Sequence, residues 1–312
     1  MSTGDSPKVS VCIIAYNQAK FIRQCLDSVI AQRTNFPFEV VVGDDASTDG
    51  TREIIADYAS RYPHTVRALL HKTNIGGGVQ NYLSVHAAAR GIYVAHVDGD
   101  DFCLPGKLQY QADILDSDPS CNVVFHRVLA LLPDGALHEG GLWNVANLES
   151  RRFDRAALLR LMVLGVHSSK MYRRPKQEVK EPSFPLLDYF LHVEHVGLGV
   201  ARFTGTKPLG VYRVGGGLST VGGASRNALA KTLLHFAKKY PAYRREVNTA
   251  ALTMFLVDLR HQRWSWPMFG RVWLRTFHPG SVLLMAREWP LIKQLGLDSG
   301  VLADVAENED RA

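Results

Sequence analysis

The 312-residue chain has no C-x-x-C pair, no apolar run long enough to cross a bilayer and no glycine-rich phosphate loop. Its four cysteines, Cys12, Cys25, Cys103 and Cys121, are scattered through apolar contexts. That spacing excludes a zinc ribbon or a disulfide scaffold and makes a reducing cytosol the expected compartment. The longest apolar stretches, residues 250–257 and 281–286, fall well short of the roughly 18 to 20 residues a spanning helix needs. Residues 1–8 are short and polar and lead straight into an apolar run, unlike a secretory leader, so export is not expected. After that run, where a dinucleotide-binding protein has G-x-G-x-x-G and a P-loop protein has G-K-[ST], the chain has A-Y-N-Q-A-K, and both classes are set aside.

The composition is that of an ordinary globular chain, with 46% hydrophobic and 21% charged residues, which excludes disordered and fibrous classes. The net charge of +6 is unevenly spread. Residues 226–295 hold twelve Lys or Arg against Glu246, Asp258 and Glu288, a net +9 that leaves −3 for the rest. Four of the five tryptophans, Trp264, Trp266, Trp273 and Trp289, lie in the same span.

Apolar runs at residues 8–15, 38–44, 66–71, 92–98 and 122–131 alternate with segments of helical period, the pattern of a mostly parallel sheet with helices on both faces. Helices are predicted over residues 153–163 and 186–196, and short strands over 199–204 and 208–213, before a flexible glycine loop at 215–217. From about residue 226 the pattern is helical only. The division expected is therefore a catalytic α/β domain over 1–225, with halves 1–132 and 133–225, and a basic, Trp-rich helical region over 226–312. The glycine run at 76–78 reads as a flexible turn.

Ligands of open α/β sheets sit outside the carboxyl ends of the strands, and here those ends are polar and acidic. The first run ends in Ala15-Tyr16-Asn17, the second in Asp44-Asp45, the fourth in Asp98-Gly99-Asp100-Asp101. Three carboxylates within four residues repel one another unless a cation or donors neutralise them. Hard oxygen ligands favour Mg²⁺ or Mn²⁺, which use one or two carboxylates and complete their shell with substrate phosphates and water. Asp49, by contrast, reads as a cap of the following helix.

V-S-V-C-I-I-A-Y-N-Q at 9–18, V-V-V-G-D-D-A-S-T-D-G-T at 40–51 and G-I-Y-V-A-H-V-D-G-D-D-F at 91–102 occur in order. They are followed by L-P-G-K-L at 104–108, S-S-K-M-Y-R-R at 168–174 and G-V-Y-R-V at 210–214. This series resembles glycosyltransferase family 2, inverting enzymes of GT-A fold. The resemblance implies that Asp45 accepts from the imide N–H of a uracil-like base, with Ala15, Tyr16 and Asn17 lining that pocket. It implies that Asp100 approaches the ribose, that Asp101, with Asp100 beside it, holds the metal, and that Asp98 assists either. Asn74 and Asn81 fall in a segment that resembles the family's donor-side loop, and Arg213 is a candidate for the leaving diphosphate.

An inverting transfer needs a general base on the acceptor side. The segment resembling the family's base-bearing helix start is P-L-L-D-Y-F at 185–190, which nominates Asp188, with Glu194 as the alternative. Leu187 stands where an acid is common in the family, and His167 is a candidate for lining the acceptor pocket. The processive Q-x-x-R-W motif is missing, since His261-Gln262-Arg263-Trp264 lacks the intervening pair. Transfer of a single sugar from a nucleotide donor to a glycan or lipid-linked glycan is therefore expected. A noncatalytic nucleotide-sugar or carbohydrate binder and a sugar-nucleotide pyrophosphorylase are the alternatives, the latter lacking its G-x-G-T-R loop.

Two readings of the C-terminal region stand side by side. Its arginines and tryptophans suit an anionic membrane surface on the cytoplasmic side, or the tryptophans pack the helices and the arginines are solvated. No nucleic-acid motif accompanies the charge.

Overall fold

The structure, a computed structural model, describes residues 6–76, 78–138, 147–162, 164–176, 179–215 and 222–296, the side chains of 222–224 excepted. Expectations for residues 216–217 of the glycine loop fall outside them. Three β-α units and a fourth strand lead: β1 Val9–Ala15, α1 Ile22–Ile30, β2 Phe38–Asp44, α2 Thr51–Arg61, β3 Val66–Leu70, α3 Gly78–Ala87 and β4 Tyr93–Asp98. There follow β5 Phe102–Cys103, α4 Lys107–Ser117, β6 Cys121–Leu131, β7 Leu137–His138, α5 Arg155–Leu161, β8 Met171–Arg173, α6 Asp188–Val196 and β9 Val200–Arg213. Four helices close the described chain: α7 Gly222–Lys239, α8 Arg244–Arg260, α9 Trp266–Arg275 and α10 Ser281–Gln294.

The strands form one sheet in the order β3-β2-β1-β4-β8-β6-β9-β5, with β7 paired to β6. β1 to β4 are mutually parallel, β6 and β9 are parallel, and β8 runs antiparallel between β4 and β6. The chain builds β1, β2, β3 in one direction and then crosses to β4 on the far side of β1. The reversal puts the binding crevice of such sheets at the tips of β1 and β4.

Both faces of the sheet are buried, which is why its strands read as continuous apolar runs rather than alternating ones. Val9, Val11, Ile13 and Ala15 of β1 pack with Ile22, Leu26 and Val29 of α1 and with Ile55 and Tyr58 of α2. Cys12 faces the other core, with Val85 of α3, Leu158 and Leu161 of α5, and Phe190 and Val193 of α6. That second core also takes Leu233 and Phe236 of α7, Ala250 of α8, Phe269 of α9 and Ile292 of α10. The boundary drawn at 225 falls inside α7.

Several elements differ from their sequence reading. Gly78 of the glycine run is the first residue of α3 rather than part of a turn, and Gly76, with φ of 112°, donates to Asn74 Oδ1 at 3.1 Å. The two short strands near 200 and 210 are one strand, β9. Its ladder with β6 passes from Phe125↔Phe203 to Arg127↔Pro208, so residues 204–207 bulge out around Gly205, whose φ is 107°. Pro208 has no N–H to donate, and the interrupted pairing is what made the pattern look double.

In the C-terminal region some basic and aromatic residues assigned to a lipid face are internal. Arg263 is buried with Arg226 around the fully buried Asp258, whose Oδ1 lies 2.5 Å from Arg226 Nη1 and 3.6 Å from Arg263 Nη1. Phe269 is fully buried, and Arg244 Nη2 donates to the Arg275 carbonyl at 2.7 Å.

Gly43 in β2 sets how closely α3 approaches the sheet. A Cβ there would lie 2.2 Å from Asn81 Oδ1 and 2.4 Å from Val85 Cγ2, both on buried, short side chains. Gly43→Ala is expected to lower stability by about 1–3 kcal/mol, seen as a lower urea midpoint with an unchanged slope. An unchanged midpoint would mean that α3 is free to move off the sheet.

Candidate active site

The tips of β1, β2 and β4 are laced to one another before any ligand is considered. Asp45 N donates to the Ala15 carbonyl at 3.1 Å, and Gly99 N to the Ile14 carbonyl at 3.0 Å. Gly99 has no room for a side chain: a Cβ would meet Gln18 Oε1 at 2.3 Å and the Ile14 carbonyl at 2.9 Å. Asn17, at φ of 51°, donates from its N–H to Ser47 Oγ and accepts the Thr48 N–H on Oδ1, both at 2.9 Å. Its role in the structure is to hold two loops together.

Asp45 is buried at the end of β2. Its Oδ1 accepts the Ile75 N–H at 2.8 Å, while Oδ2 is buried with no partner among the described residues. Asn74 Nδ2 lies 3.4 Å from the Asp45 carbonyl, and Ala46 takes a left-handed φ of 60°. Asp44 Oδ2 accepts the Ser47 N–H at 3.1 Å with Arg52 at 3.5 Å, while its Oδ1, like Asp45 Oδ2, is buried with no partner among the described residues. Asp49 accepts from Thr51 N at 3.1 Å and Ala19 N at 3.0 Å at the start of α2. Asn81 lies beneath the tips and is buried, its Nδ2 donating to the Gly43 carbonyl at 2.9 Å.

The acidic turn after β4 divides its three carboxylates between different tasks. Asp98 accepts Ser168 Oγ–H on Oδ2 at 3.1 Å, with His96 Nε2 at 3.1 Å from Oδ1. Burial alone would raise it, but the His96 imidazole and its hydrogen bond hold it below the usual carboxylate value. Burial, then the Asp98 charge, pushes Asp100 up to about 7. Burial, then Asp100 and Asp98, pushes Asp101 well above its ordinary value. Asp101 Oδ1 accepts the Arg213 backbone N–H at 2.8 Å, and its Oδ2 is buried with no hydrogen-bond partner among the described residues, the Ser168 hydroxyl being close enough to work against the rise in its pKa. Arg213 Nε donates to the Asp100 carbonyl at 3.1 Å, and its guanidinium lies 4.3 Å from the Phe21 ring centroid.

Among the described residues no three His, Cys, Asp or Glu side chains gather into a complete metal site. The donor set instead fits a divalent cation that takes one or two carboxylates from the protein and the rest of its shell from a diphosphate. Asp101 offers a buried, unclaimed oxygen and Asp100 a carboxyl destabilised as an anion.

Asp188 is the first residue of α6, its side chain 54% exposed and its Oδ1 2.8 Å from His167 Nδ1. His167 opens a 3₁₀ turn, His167–Ser169, pinned from α4: Lys107 Nζ donates to the Ser168 carbonyl at 2.6 Å and Gln111 Nε2 to the Ser169 carbonyl at 2.9 Å. Lys107 is buried, so the L-P-G-K-L motif serves to place this turn. Glu194 is turned to the C-terminal helices, bonded to Lys239 Nζ at 2.8 Å and Tyr240 Oη at 2.9 Å.

The residues that sequence reasoning missed lie one layer below. His96 shares a face of β4 with Asp98, Ser168 supports Asp98, and Lys170 is fully buried with burial pulling its amine down to about 7. The available signal was a histidine inside an otherwise apolar strand, two residues before the aspartate it supports.

A largely parallel sheet with these acids at its tips, flanked by the α6 start, has the GT-A form. Residues 10–176, more than half of the chain, match the family model Glycosyl transferase family 2, and the chain belongs to that family. It is 40% identical to an uncharacterized protein of Mycobacterium tuberculosis over 208 residues, 66% of this chain and 58% of the relative. The chain thus spans little more than half of that relative's length. Staphylococcus aureus TarS, solved with UDP-GlcNAc, superposes with a TM-score of 0.63 at 18% identity, covering 97% of this chain and 92% of that one. A mannosyltransferase from Pyrobaculum calidifontis, solved with GDP-Man and Mn²⁺, gives 0.54 at 18%, covering 97% and 86%. At that identity the two likenesses are of fold.

The crowded carboxyls make a stability prediction. A group whose folded pKa lies above its unfolded value stabilises at low pH and loses that contribution as pH rises through the folded value. Asp100 and Asp101 are both raised, so the metal-free protein loses stability between about pH 4 and pH 7 and above. Asp101→Asn keeps the acceptor for Arg213 and removes one charge. It is expected to raise metal-free stability at pH 8 by on the order of 1–3 kcal/mol, with the gain fading toward pH 4. Thermal melts with chelator at both pH values check this; a loss of stability at pH 8 would contradict it.

Proposed function

We propose that the protein transfers one sugar, with inversion, from a nucleoside diphosphate sugar to a hydroxyl of a glycan or lipid-linked glycan, in surface polysaccharide or glycoconjugate synthesis. The observation that carries this reading is the pair of buried carboxylate oxygens without a partner among the described residues, Asp45 Oδ2 and Asp101 Oδ2, at the tips of β2 and β4 on either side of β1. One suits the imide N–H of a base and the other a cation on the diphosphate. UDP is the favoured carrier. The TarS complex with UDP-GlcNAc and the mannosyltransferase complex with GDP-Man and Mn²⁺ support a nucleotide donor and a divalent metal.

In this reading Asp45 accepts the imide proton, and Tyr16 and Asn74 border the base. Asp101 and Asp100 hold Mg²⁺ or Mn²⁺, which when bound offsets the charge that collects on the departing diphosphate. The Arg213 guanidinium, held over Phe21, adds a fixed positive charge beside it. Asp188 takes the acceptor hydroxyl's proton as that oxygen bonds to the anomeric carbon. The bond from anomeric carbon to phosphate oxygen breaks, and its electron pair leaves with the nucleoside diphosphate.

Donor binding and turnover separate the roles. At a hundredfold excess over its dissociation constant, the true donor with Mn²⁺ adds roughly 2.7 kcal/mol of stability. A thermal-shift panel of UDP-, dTDP- and GDP-sugars is expected to find one such donor. Asp101→Asn abolishes its metal-dependent shift; Asp188→Asn keeps the shift and removes nucleoside diphosphate release. Near-normal turnover in Asp188→Asn would end its assignment as the base.

The same reading places the enzyme on the cytoplasmic face of a membrane through its C-terminal helices. Among the described residues no helix is long and apolar enough to cross a bilayer. Trp264, Leu274, Phe277 and Leu283 are 59%, 64%, 52% and 78% exposed, beside the exposed Arg271, Arg275 and Arg287. Trp266, Phe255, Trp273 and Phe277 contact one another in series at centroid distances of 6.0–6.3 Å, an aromatic row with exposed ends. Basic residues add about 1 kcal/mol each near anionic lipid, and tryptophan favours the interface. Flotation with phosphatidylglycerol-containing vesicles is expected, and the triple Arg271, Arg275, Arg287→Glu variant should partition roughly a hundredfold less. Failure to float with any vesicle removes the membrane role.

A further inference from the structure

The half-exposed Asp188 would be a poor base if its carboxylate were free to rotate. An acid in the first turn of a helix is drawn toward the unpaired N–H groups of its own backbone, which would turn it away from an acceptor. The hydrogen-bonded ring of His167 opposes that rotation. We propose that His167 is the positioning residue of Asp188: its Nδ1–H donates to Oδ1 and leaves Oδ2 as the proton-accepting oxygen toward the crevice. The inference rests on the reading of Asp188 as the base.

The ring is well placed to act as a fixed donor. Ser169 donates to the Val166 carbonyl from both N, at 3.0 Å, and Oγ, at 2.7 Å, closing the turn that carries His167. The imidazole stacks on His96 at 4.0 Å between centroids and 27° between planes, and meets His192 edge-on at 6.0 Å. Only 9% of His167 is exposed. Burial keeps the ring neutral well below its ordinary pKa, with His96 and Lys170 pushing the same way and Asp98 against them. A neutral ring that donates from Nδ1 orients the carboxylate without cancelling its charge.

The partner in the stack has the parallel task on the donor side. His96 Nε2 lies 3.1 Å from Asp98 Oδ1, its Nδ1 lies 3.0 Å from His86 Nε2, and His86 Nδ1 lies 2.7 Å from Tyr172 Oη. One direction satisfies the whole row: the Tyr172 hydroxyl donates to His86, His86 to His96, and His96 to Asp98. Each side of the crevice thus has a carboxylate held by a histidine from below, and the two histidines stack. A shift of either ring moves the other, which fixes the spacing between the donor-side and acceptor-side acids.

Two measurements on the full chain test the proposal. In nitrogen-15 spectra of the histidine rings, His167 is expected as a single neutral tautomer with its proton on Nδ1, and Asp188→Ala should abolish that preference. An Nε2–H tautomer in the wild type, or a spectrum unmoved by Asp188→Ala, overturns the proposal whatever the enzyme's substrate. In nucleoside diphosphate release from the donor panel with Mn²⁺, His167→Leu should lower kcat by about 10- to 100-fold with donor KM within about twofold. His167→Asn, whose amide nitrogen sits near the Nδ1 position, should recover most of the rate, and His167→Leu should add no loss to Asp188→Asn. Unchanged kcat in His167→Leu, or equal losses in the Leu and Asn variants, overturns the inference. Full turnover in Asp188→Asn, or no release from any donor, instead strikes the functional reading and leaves the ring spectra to decide the hydrogen bond.

Discussion

Carboxylates buried at the tips of a parallel sheet without enough counter-charge are the constraint around which this molecule is arranged. Moving a charge out of water costs far more than a hydrogen bond returns, and the group responds by binding a proton, a cation or donors. Each acid here has a different answer. Asp44 takes donors from its own loop and Arg52, Asp98 takes a histidine and a serine, and Asp258 in the helical region takes two arginines. Asp44, Asp45 and Asp101 are each left with one satisfied oxygen and one buried without a partner among the described residues.

The sheet and its first helices were legible in the sequence because their signals are local. Apolar runs bounded by acidic or turn residues located β1 to β4 and β6 within a residue or two, and the strand-end rule then pointed to the crevice. What was not legible depended on distant partners. β9 looked like two strands because a bulge opposite β6 interrupts it, and nothing near residue 205 announces a pairing with residues 80 positions earlier. The loop and backbone bonds of Asn17 and Asn81 were hidden for a related reason. An amide near a strand tip serves a ligand or a neighbouring loop equally well on paper, and here both amides bond backbone and loop.

Charge and aromatic content were similarly ambiguous. Twelve basic residues and four tryptophans in the last third of the chain read as one surface, yet Arg226 and Arg263 neutralise an internal aspartate and Phe269 fills the core. The exposed basic residues are spread over α7, α8, α9 and α10 and do not make one face. Helical period alone does not tell an arginine that reaches inward from one that reaches outward when both faces of a helix have neighbours.

The Arg213 amide that satisfies Asp101 lies 112 positions further along the chain. The segment that matches the family model stops at residue 176, so it contains the acidic turn but not the backbone group that completes it. Trimming the protein to its recognisable family core would therefore yield a sheet with the right acids and an unfinished cradle. The last strand is what makes the motif portable or not, and any chimaera that borrows the front half must borrow that strand as well.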